Sequence, residues 1–372
     1  MARIATVCTD ERRGTRLVDM SAIRWYRMSS ALAELGHQVD VLHGRLKWRP
    51  IQRPRSLGPR LREVPLGRAR WDEYDVVKTL FHRGFETLER FGGADHPFVV
   101  SKLGSVVDDH DRDGIYFFGA QREALYRVQR RIAETSRYVA VISEPARALW
   151  RELHGPAGNV LLVPGAADEV LPEAGADPFP DAARPRVVFA GNFYTGHRSS
   201  QDEAHRTIAG KLNAVGAALR ARGGALYVLG PGDADSLDHG AVRYLGEVPY
   251  AASWDYLRHA DVGLVVSAGA FMHNNESTKI YHYLRVGLPT VSESGFPNDH
   301  LVADTGHGRL VEPGHVDALV DAVVWAATAL PDRGPAIDHI LRHHTWRRRA
   351  ETYDRLIREQ MADSPREPLT KP

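Results

Sequence analysis

Cysteine is nearly absent from this chain, whose 372 residues include only Cys8. No disulfide can form within the chain, and this fits a reducing compartment. A long apolar segment is missing as well, since no run of about eighteen hydrophobic residues predicts a transmembrane helix. Residues 1–7 lead directly into a strand-like segment, so we expect no signal peptide. These absences favour a cytoplasmic protein.

An excess of charge of either sign is also missing. Lys and Arg number 48 against 47 Asp and Glu, which gives a formal net charge of +1. This balance argues against nucleic-acid binding as the main function of the protein. With 43% hydrophobic and 26% charged residues, the composition is that of a globular protein. The length is sufficient for two domains of ordinary size.

Strand-like and helix-like segments alternate along both halves of the chain. In the first half, strands are predicted at 4–8, 39–42, 75–79, 97–103 and 138–142, and helices at 21–35 and 119–135. In the second half, strands are predicted at 186–191, 225–229, 242–245, 262–266 and 290–292, and helices at 203–222, 252–259 and 344–361. The alternation predicts two α/β halves with doubly wound parallel sheets, and a cleft for ligands at the carboxyl ends of their strands.

The most informative segment runs from residue 274 to residue 291. It reads as a polar loop, a short amphipathic helix, a glycine stop and a strand. Ser277 or Thr278 is a suitable N-cap, and Gly287 ends the helix. The free N–H groups of a helix start, together with a hydroxyl and the Lys279 ammonium, make a good phosphate site. The alternative interpretation is an ordinary surface helix of an α/β domain.

The side chains of this helix are expected to divide between two faces. Three apolar residues at i, i+3, i+4 spacing should pack against a sheet: Ile280, Tyr283 and Leu284. Glu276, Lys279 and His282 follow i+3 spacing and are expected to share a different face near the helix start.

Several motifs, taken in sequence order, resemble those of GT-B glycosyltransferases. Residues 35–42, Leu-Gly-His-Gln-Val-Asp-Val-Leu, are similar to the L-x-x-x-G-H-x-V-x-V segment near their N-terminus. Residues 187–192 resemble the strand and glycine turn that open their second domain, and residues 244–264 resemble their f-x-G-x-v … y-l-x-x-a-D-v-g-l block. Residues 279–291 resemble their K-x-x-E/Q-Y-x-x-x-G-x-P-V helix, and Trp346 begins a segment like their C-terminal helix.

The resemblance implies a GT-B fold, in which two Rossmann-like domains face a cleft. We expect an acceptor domain at 1–172, a linker at 173–185 and a nucleotide-sugar domain at 186–343. A helix at 344–361 is expected to cross back to the first domain, and 362–372 to form a flexible tail. The implied function is transfer of a sugar from a nucleotide-diphosphate sugar to a hydroxyl of a small-molecule or lipid-linked acceptor, which would allow peripheral membrane contact. Neither a cofactor nor a metal ion is expected.

Matching residues of the family pattern imply a donor site in the second domain. Ser277, Thr278 and Lys279 would contact the diphosphate, where the lysine offsets charge that grows on the leaving group. Glu247 would accept a hydrogen bond from the base, or is a turn carboxylate in solvent. The implied donor-binding residues are Gly191, Asn192, His197, Arg198, Gly246, Glu247, Val248, Glu276, Ser277, Thr278, Lys279 and His282.

The sequence departs from the common retaining members of the family at two places. Asn192 stands where they carry an arginine after the glycine. Asn274 and His282 stand where they carry a pair of glutamates. The Ser-x-Lys-x-x-(His or Gln)-Tyr pattern is closer to the xanthan-type glucuronosyltransferases, which invert. The stereochemistry of transfer therefore stays open.

An inverting transfer needs a general base beside the acceptor hydroxyl. Asp108, Asp109 and His110 follow a predicted strand and are the candidate catalytic residues; the alternative is a solvated acidic loop. His82 also follows a strand and could line the acceptor side. Arginines at 12, 13, 16, 24 and 27 either meet an anionic acceptor or, as we expect, lie scattered on the surface.

Two other functions fit the same fold. A nucleotide-sugar epimerase would isomerise its donor without an acceptor. A non-catalytic partner would keep the fold without the chemistry, an interpretation that the missing glutamates keep open.

Overall fold

We describe the structure of residues 1–8, 20–44, 53–108, 119–155, 159–193, 202–269, 274–329 and 332–363, taken from a computed structural model. The described chain forms two sheets, of eight and six strands, each flanked by helices.

The first sheet has eight strands in the order β3-β4-β2-β1-β5-β6-β7-β8. Its strands are β1 (Arg3–Val7), β2 (Gln38–His43), β3 (Arg55–Gly58), β4 (Leu61–Pro65), β5 (Val76–Leu80), β6 (Val99–Lys102), β7 (Tyr138–Val141) and β8 (Val160–Leu162). All neighbours run parallel except β3, which is antiparallel to β4. Every residue of the central strands β5 and β6 is buried, as is expected where helices cover both faces of a parallel sheet.

Four helices of the first half connect or cover these strands: α1 (Met20–Glu34), α2 (Phe81–Arg90), α3 (Gly119–Thr135) and α4 (Glu144–His154). The start and end of α4 follow from local chemistry. The Ser143 hydroxyl accepts a hydrogen bond from the Ala146 amide (3.1 Å), and Pro145 occupies the first turn. Gly155, with φ of 84°, ends the helix in a conformation that favours glycine.

The second sheet has six parallel strands in the order β11-β10-β9-β12-β13-β14. They are β9 (Arg186–Ala190), β10 (Ala225–Leu229), β11 (Val242–Gly246), β12 (Val262–Val265), β13 (Thr290–Glu293) and β14 (Gly308–Val311). Its helices are α5 (Asp202–Ala221), α6 (Tyr250–His259), α7 (Thr278–Arg285), α8 (His300–Thr305), α9 (Val316–Ala329) and α10 (Gly334–His343). Separate apolar clusters fill the two faces of this sheet.

The last described helix, α11 (Trp346–Asp363), packs on α1 rather than on the second sheet. Trp346 and Tyr353 lie in the same apolar cluster as residues of β1, β2 and α1. Asp354 lies 2.8 Å from the ring nitrogen Nε2 of His37, which is buried at the end of α1. The chain therefore returns to the first half after the second sheet is complete.

A short loop before α7 also joins the two halves. The Ser143 hydroxyl donates a hydrogen bond to the carbonyl of Asn274 (2.8 Å), and the side-chain amide of Asn275 donates to the Ser105 hydroxyl (2.9 Å). Because Ser105 follows β6 and Ser143 follows β7, this loop lies at the carboxyl ends of the first sheet. The loop before α7 is thus bound to the loops that follow β6 and β7.

The α/β fold class predicted from the sequence is confirmed, since both sheets are flanked by helices and their neighbouring strands run parallel, apart from β3 beside β4. Sequence patterns missed β3, β4, α2, α4, β14 and α8 to α10. The C-terminal helix begins at Trp346 rather than at residue 344. None of the helices in the described ranges is both long and apolar enough to span a membrane.

Candidate active site

The side chain of Asn298 holds the backbone of Ser277, the residue just before helix α7. The Ser277 amide donates to Asn298 Oδ1 (2.9 Å), and Asn298 Nδ2 donates to the Ser277 carbonyl (2.9 Å). Ser277 occupies the N-cap position, as predicted, but its hydroxyl makes no capping hydrogen bond. Its Oγ is buried and has no hydrogen-bond partner among the described residues. The first turn of α7 therefore offers a free hydroxyl beside free backbone N–H groups.

The apolar face of α7 packs against the second sheet as the sequence predicts. Ile280, Tyr283 and Leu284 are buried. The Tyr283 hydroxyl donates to the Val188 carbonyl (3.2 Å) and accepts from the Ala190 amide (2.9 Å), both in β9. These contacts fix the start of α7 next to the end of β9.

The Lys279 side chain lies against Gly191, the residue that follows β9. A Cβ added to Gly191 would lie 2.8 Å from Lys279 Nζ and closer still to Cε. The ammonium is 4.6 Å from the centre of the Phe189 ring. Burial lowers the pKa of Lys279 to about 8. The space over the Gly191 Cα therefore holds the lysine side chain.

His282 lies behind this lysine, in aromatic surroundings. Its ring centre is 5.0 Å from that of Trp254 and 5.8 Å from that of Tyr250. Burial, together with the nearby cations Arg24 and Lys279, lowers the pKa of His282 to about 3. The ring is therefore neutral near neutral pH. Its Nε2 is buried and has no hydrogen-bond partner in the described part of the chain.

Glu276 does not share the face of Lys279 and His282, which corrects the sequence-based expectation. It precedes the first helical residue, so i+3 helical spacing does not apply to it. Its carboxylate accepts hydrogen bonds from the Gly165 amide and from the Tyr281 hydroxyl (2.8 Å). Burial raises the pKa of this carboxyl group. Glu276 thus joins the loop before α7 to the first half of the chain.

Glycines end three neighbouring strands of the second sheet. The Gly191 amide donates to the Leu229 carbonyl (2.8 Å), and the Gly230 amide donates to the Gly246 carbonyl (2.9 Å). Gly230 and Gly246 have φ of 124° and 73°, in the region that favours glycine. The ends of β9, β10 and β11 therefore form one row without side chains.

The remaining predicted donor residues differ in their exposure to solvent. Glu247 and Asn192 are exposed, and Val248 packs against the apolar cluster under α6 and α7. Thr278 is half-buried in the first turn of α7. His197 and Arg198 lie outside the described residues.

On the opposite side, only one of the three candidate catalytic residues lies within the described chain. Asp108 is buried and follows the loop after β6, while Asp109 and His110 lie outside the described residues. The amide side chain of Gln129 holds this loop, because it accepts from the Val107 amide (2.8 Å) and donates to the Val107 carbonyl (2.9 Å). His82 is buried behind it, 3.4 Å from Gln129 Oε1, and burial lowers its pKa to about 4.

Two features of the first half were missed by sequence analysis. Phe81, at the end of β5, has φ of 60°, an unusual conformation for a bulky residue and one that clusters at functional sites. Arg24, expected on the surface, is buried with Lys78 and Lys102. A lysine inside an otherwise apolar strand, as in Val-Val-Lys-Thr-Leu, was the available signal. Arg27 forms an ion pair with Asp168 at 2.7 Å.

Comparison with known proteins gives a family-model match within the second half and structures of similar fold over the whole chain. Residues 184–328 match the family model described as "Glycosyl transferases group 1", and they contain β9 to β14, α7 and the row of glycines. Sucrose-phosphate synthase from Thermosynechococcus elongatus is similar in structure with a TM-score of 0.70 and 17% identity, over 98% of this chain and 100% of that one. The chain has the GT-B fold.

Other GT-B structures are similar over comparable lengths. AviGT4, a glycosyltransferase involved in avilamycin A biosynthesis, has a TM-score of 0.61 and 18% identity, over 98% of this chain and 99% of that one. An α,α-trehalose 6-phosphate synthase from Burkholderia multivorans has a TM-score of 0.65 and 10% identity, over 98% of both chains. No curated protein sequence matches the chain significantly. The resemblance to GT-B glycosyltransferases is confirmed, whereas the closer similarity to xanthan-type enzymes stays a prediction.

Proposed function

We propose that the protein is a glycosyltransferase that moves a sugar from a nucleotide-diphosphate sugar to a hydroxyl of a small-molecule or lipid-linked acceptor. The observation that carries this proposal is the start of α7. There, the unpartnered Ser277 hydroxyl and the Lys279 ammonium lie at a helix N-terminus, inside a glycosyl transferases group 1 domain. Free N–H groups, a hydroxyl and an ammonium together suit a diphosphate.

Lys279 would be the main cation at the leaving diphosphate. An anion next to a buried ammonium favours the charged form, so donor binding is expected to raise the pKa of Lys279 above about 8. The charged lysine would then stabilise the negative charge that develops as the glycosidic bond breaks. Gly191 contributes by leaving room for the lysine to lie across the end of β9.

His282 would act as a neutral hydrogen-bonding group rather than as another cation. Its pKa of about 3 keeps the ring uncharged between Arg24 and Lys279. A neutral imidazole carries one donor and one acceptor nitrogen, and the unpartnered Nε2 is available to a donor substrate. This role differs from that of a carboxylate at the same position, so it does not support a retaining mechanism built on paired glutamates.

The row of glycines at the ends of β9, β10 and β11 supports a nucleotide beside the diphosphate. Within this row, Gly246 has no atom within 4 Å of the place where a Cβ would lie, so a planar base would have room beside its backbone. Gly246, Glu247 and Val248 would border the base, with Glu247 as an exposed acceptor. Asn192 is exposed next to Gly191, and His197 and Arg198 are kept as donor-side candidates.

The acceptor hydroxyl would be activated from the first half of the chain. Asp108, with Asp109 and His110 beside it in sequence, remains the proposed group that contains the general base. Asp108 follows the carboxyl end of β6, the edge at which parallel sheets bind ligands. The two hydrogen bonds between the Gln129 side chain and the Val107 backbone would hold the chain just before Asp108 in place during proton transfer.

A transfer assay with a panel of nucleotide-diphosphate sugars and acceptors tests the proposal. We expect release of nucleoside diphosphate that depends on both a donor and an acceptor, and persists in the presence of a chelator. Isomerisation of the donor without an acceptor would instead support an epimerase. Donor binding without any turnover across the panel would support a non-catalytic protein.

A further inference from the structure

Three buried basic side chains lie together in the first half of the chain. We name them the first-half cations: Arg24 in α1, Lys78 in β5 and Lys102 at the end of β6. Their exposed fractions are 8%, 7% and 3%. In the pairing of β5 with β6, Lys78 is opposite Val100 and Leu80 is opposite Lys102. Because side chains alternate along a strand, both lysines point to the same face of the sheet.

None of the first-half cations forms an ion pair within the described chain. Lys102 Nζ donates to the Val163 carbonyl at 2.7 Å, and Lys78 Nζ lies 4.8 Å from the Tyr353 ring centre. Arg24 Nε is buried, and no described residue forms a hydrogen bond with it. The nearby carboxylate, Glu276, already accepts hydrogen bonds from the Gly165 amide and the Tyr281 hydroxyl.

The electrostatics of this group are unfavourable without a ligand. Burial, together with the nearby charge of Arg24, lowers the pKa of Lys78 to about 8. Burial lowers the pKa of Lys102 well below its usual value. The charges of Arg24, Lys78 and Arg349 also lower this pKa, whereas the charge of Glu276 raises it. A buried charge is costly unless it is paired. Arg24, Lys102 and Arg349 therefore lie near one carboxylate of the described residues, Glu276, and Lys78 lies near Arg24.

We propose that the first-half cations bind an anionic group, phosphate or carboxylate, on the acceptor substrate. The placement supports the acceptor rather than the leaving diphosphate, because all three cations belong to the first half and Lys102 ends the strand that leads to Asp108. The group also adjoins the proposed donor site, since Arg24 and Lys279 are both close enough to His282 to lower its pKa. The inference rests on the proposed function and narrows its acceptor to an anionic molecule.

The test compares Arg24→Met and Lys78→Met with Arg222→Met as the control. Arg222 is an exposed arginine at the end of the second half's first helix, paired with Asp321 at 2.7 Å. Thermal unfolding is measured without ligand, then with inorganic phosphate, glucose 6-phosphate, glucuronate or glucose at constant ionic strength. Nucleoside diphosphates are titrated separately, so that the donor site is assessed independently of the acceptor site.

We expect glucose 6-phosphate or glucuronate, but not glucose, to stabilise the wild type and the control. Arg24→Met and Lys78→Met should weaken that binding about ten- to hundredfold, because each removes a charged hydrogen-bond donor. Both variants should keep the wild-type response to nucleoside diphosphates. Without ligand, they should melt at or above the wild-type temperature, because a buried unpaired charge has been replaced by an apolar side chain.

Three outcomes would overturn the inference. One is equal stabilisation of the wild type by glucose and by the anionic ligands. Another is unchanged anion binding in both variants. The third is that a uronic-acid donor stabilises the protein whereas the anionic acceptors do not. This result would assign the cations to the donor sugar. A missing response to nucleoside diphosphates in the wild type would instead count against the proposed function.

Discussion

Substitution of Gly191 by alanine tests whether Lys279 lies where the structure places it. The new Cβ would lie 2.8 Å from Nζ and nearer to Cε. Non-bonded carbon atoms prefer separations of about 3.5–4.0 Å, so the lysine chain must move by about 1 Å. A misplacement of that size can lower a rate by about a hundredfold. We expect a loss of ten- to hundredfold, roughly, in kcat/KM for the donor.

The same substitution should have little effect on stability, because the displaced atoms are the far end of a flexible side chain. Gly210→Ala is the matched control, since its added Cβ has no atom within 4 Å and its residue lies inside α5. Alanine there should stabilise the protein by about 0.5–1 kcal/mol and leave activity unchanged. Urea unfolding and steady-state kinetics of both variants measure the two effects. Wild-type kinetics for Gly191→Ala would refute the contact between Lys279 and Gly191 in the working enzyme.

Two further predictions concern buried ionisable groups away from the diphosphate. Lys211→Met should cost about 3–5 kcal/mol in urea unfolding, because Lys211 pairs at 2.7 Å with the fully buried Glu293; a loss below about 1 kcal/mol would contradict this. The folded-state pKa of His82, about 4, lies below its unfolded value of about 6.5, so stability is complete above that pH and falls as pH drops towards 4. His82→Gln should reduce that acid-dependent loss by on the order of 3 kcal/mol, and an unchanged pH profile of unfolding would argue against it.

The sequence was most informative where local chemistry determines the structure. Ser277 and Gly287 mark α7 because a helix start and a helix end have characteristic residues, and the structure begins that helix at Thr278 and gives Gly287 φ of 62°. Ile280, Tyr283 and Leu284 were predicted to be buried by their spacing, and they are. Both the helix and its apolar face followed from residues close together in the chain.

Elements that depend on distant contacts were not predictable. Helix α2 begins after Leu80, which supplies no capping side chain, and its first residue is the strained Phe81. Strand β3 is short and largely exposed at the sheet edge, and Arg62 and Glu63 interrupt the apolar residues of β4, so neither strand carries a strong hydrophobic pattern. The same reasoning explains the error about Arg24. Charged residues are rarely buried, and the neighbours of Arg24, which include Glu276, Tyr281 and Tyr353, are distant from it in the chain.

The donor site was only partly accessible from sequence. The resemblance named Lys279 and Gly191 separately, but their contact across 88 residues of chain is visible only in the fold. Glu276 was expected beside Lys279, yet it binds the Gly165 amide because it lies before the helix and not on it. The periodicity of a helix predicts neighbours only within its own bounds.

The most direct test of the central claim is the affinity of Lys279→Met for the nucleoside diphosphate that stabilises the wild type, measured by isothermal titration calorimetry. Arg222→Met serves again as the control. Loss of one charged contact with the diphosphate should weaken binding about ten- to hundredfold in Lys279→Met and leave the control unchanged. Wild-type affinity in Lys279→Met would contradict the assignment of the α7 start as the donor diphosphate site.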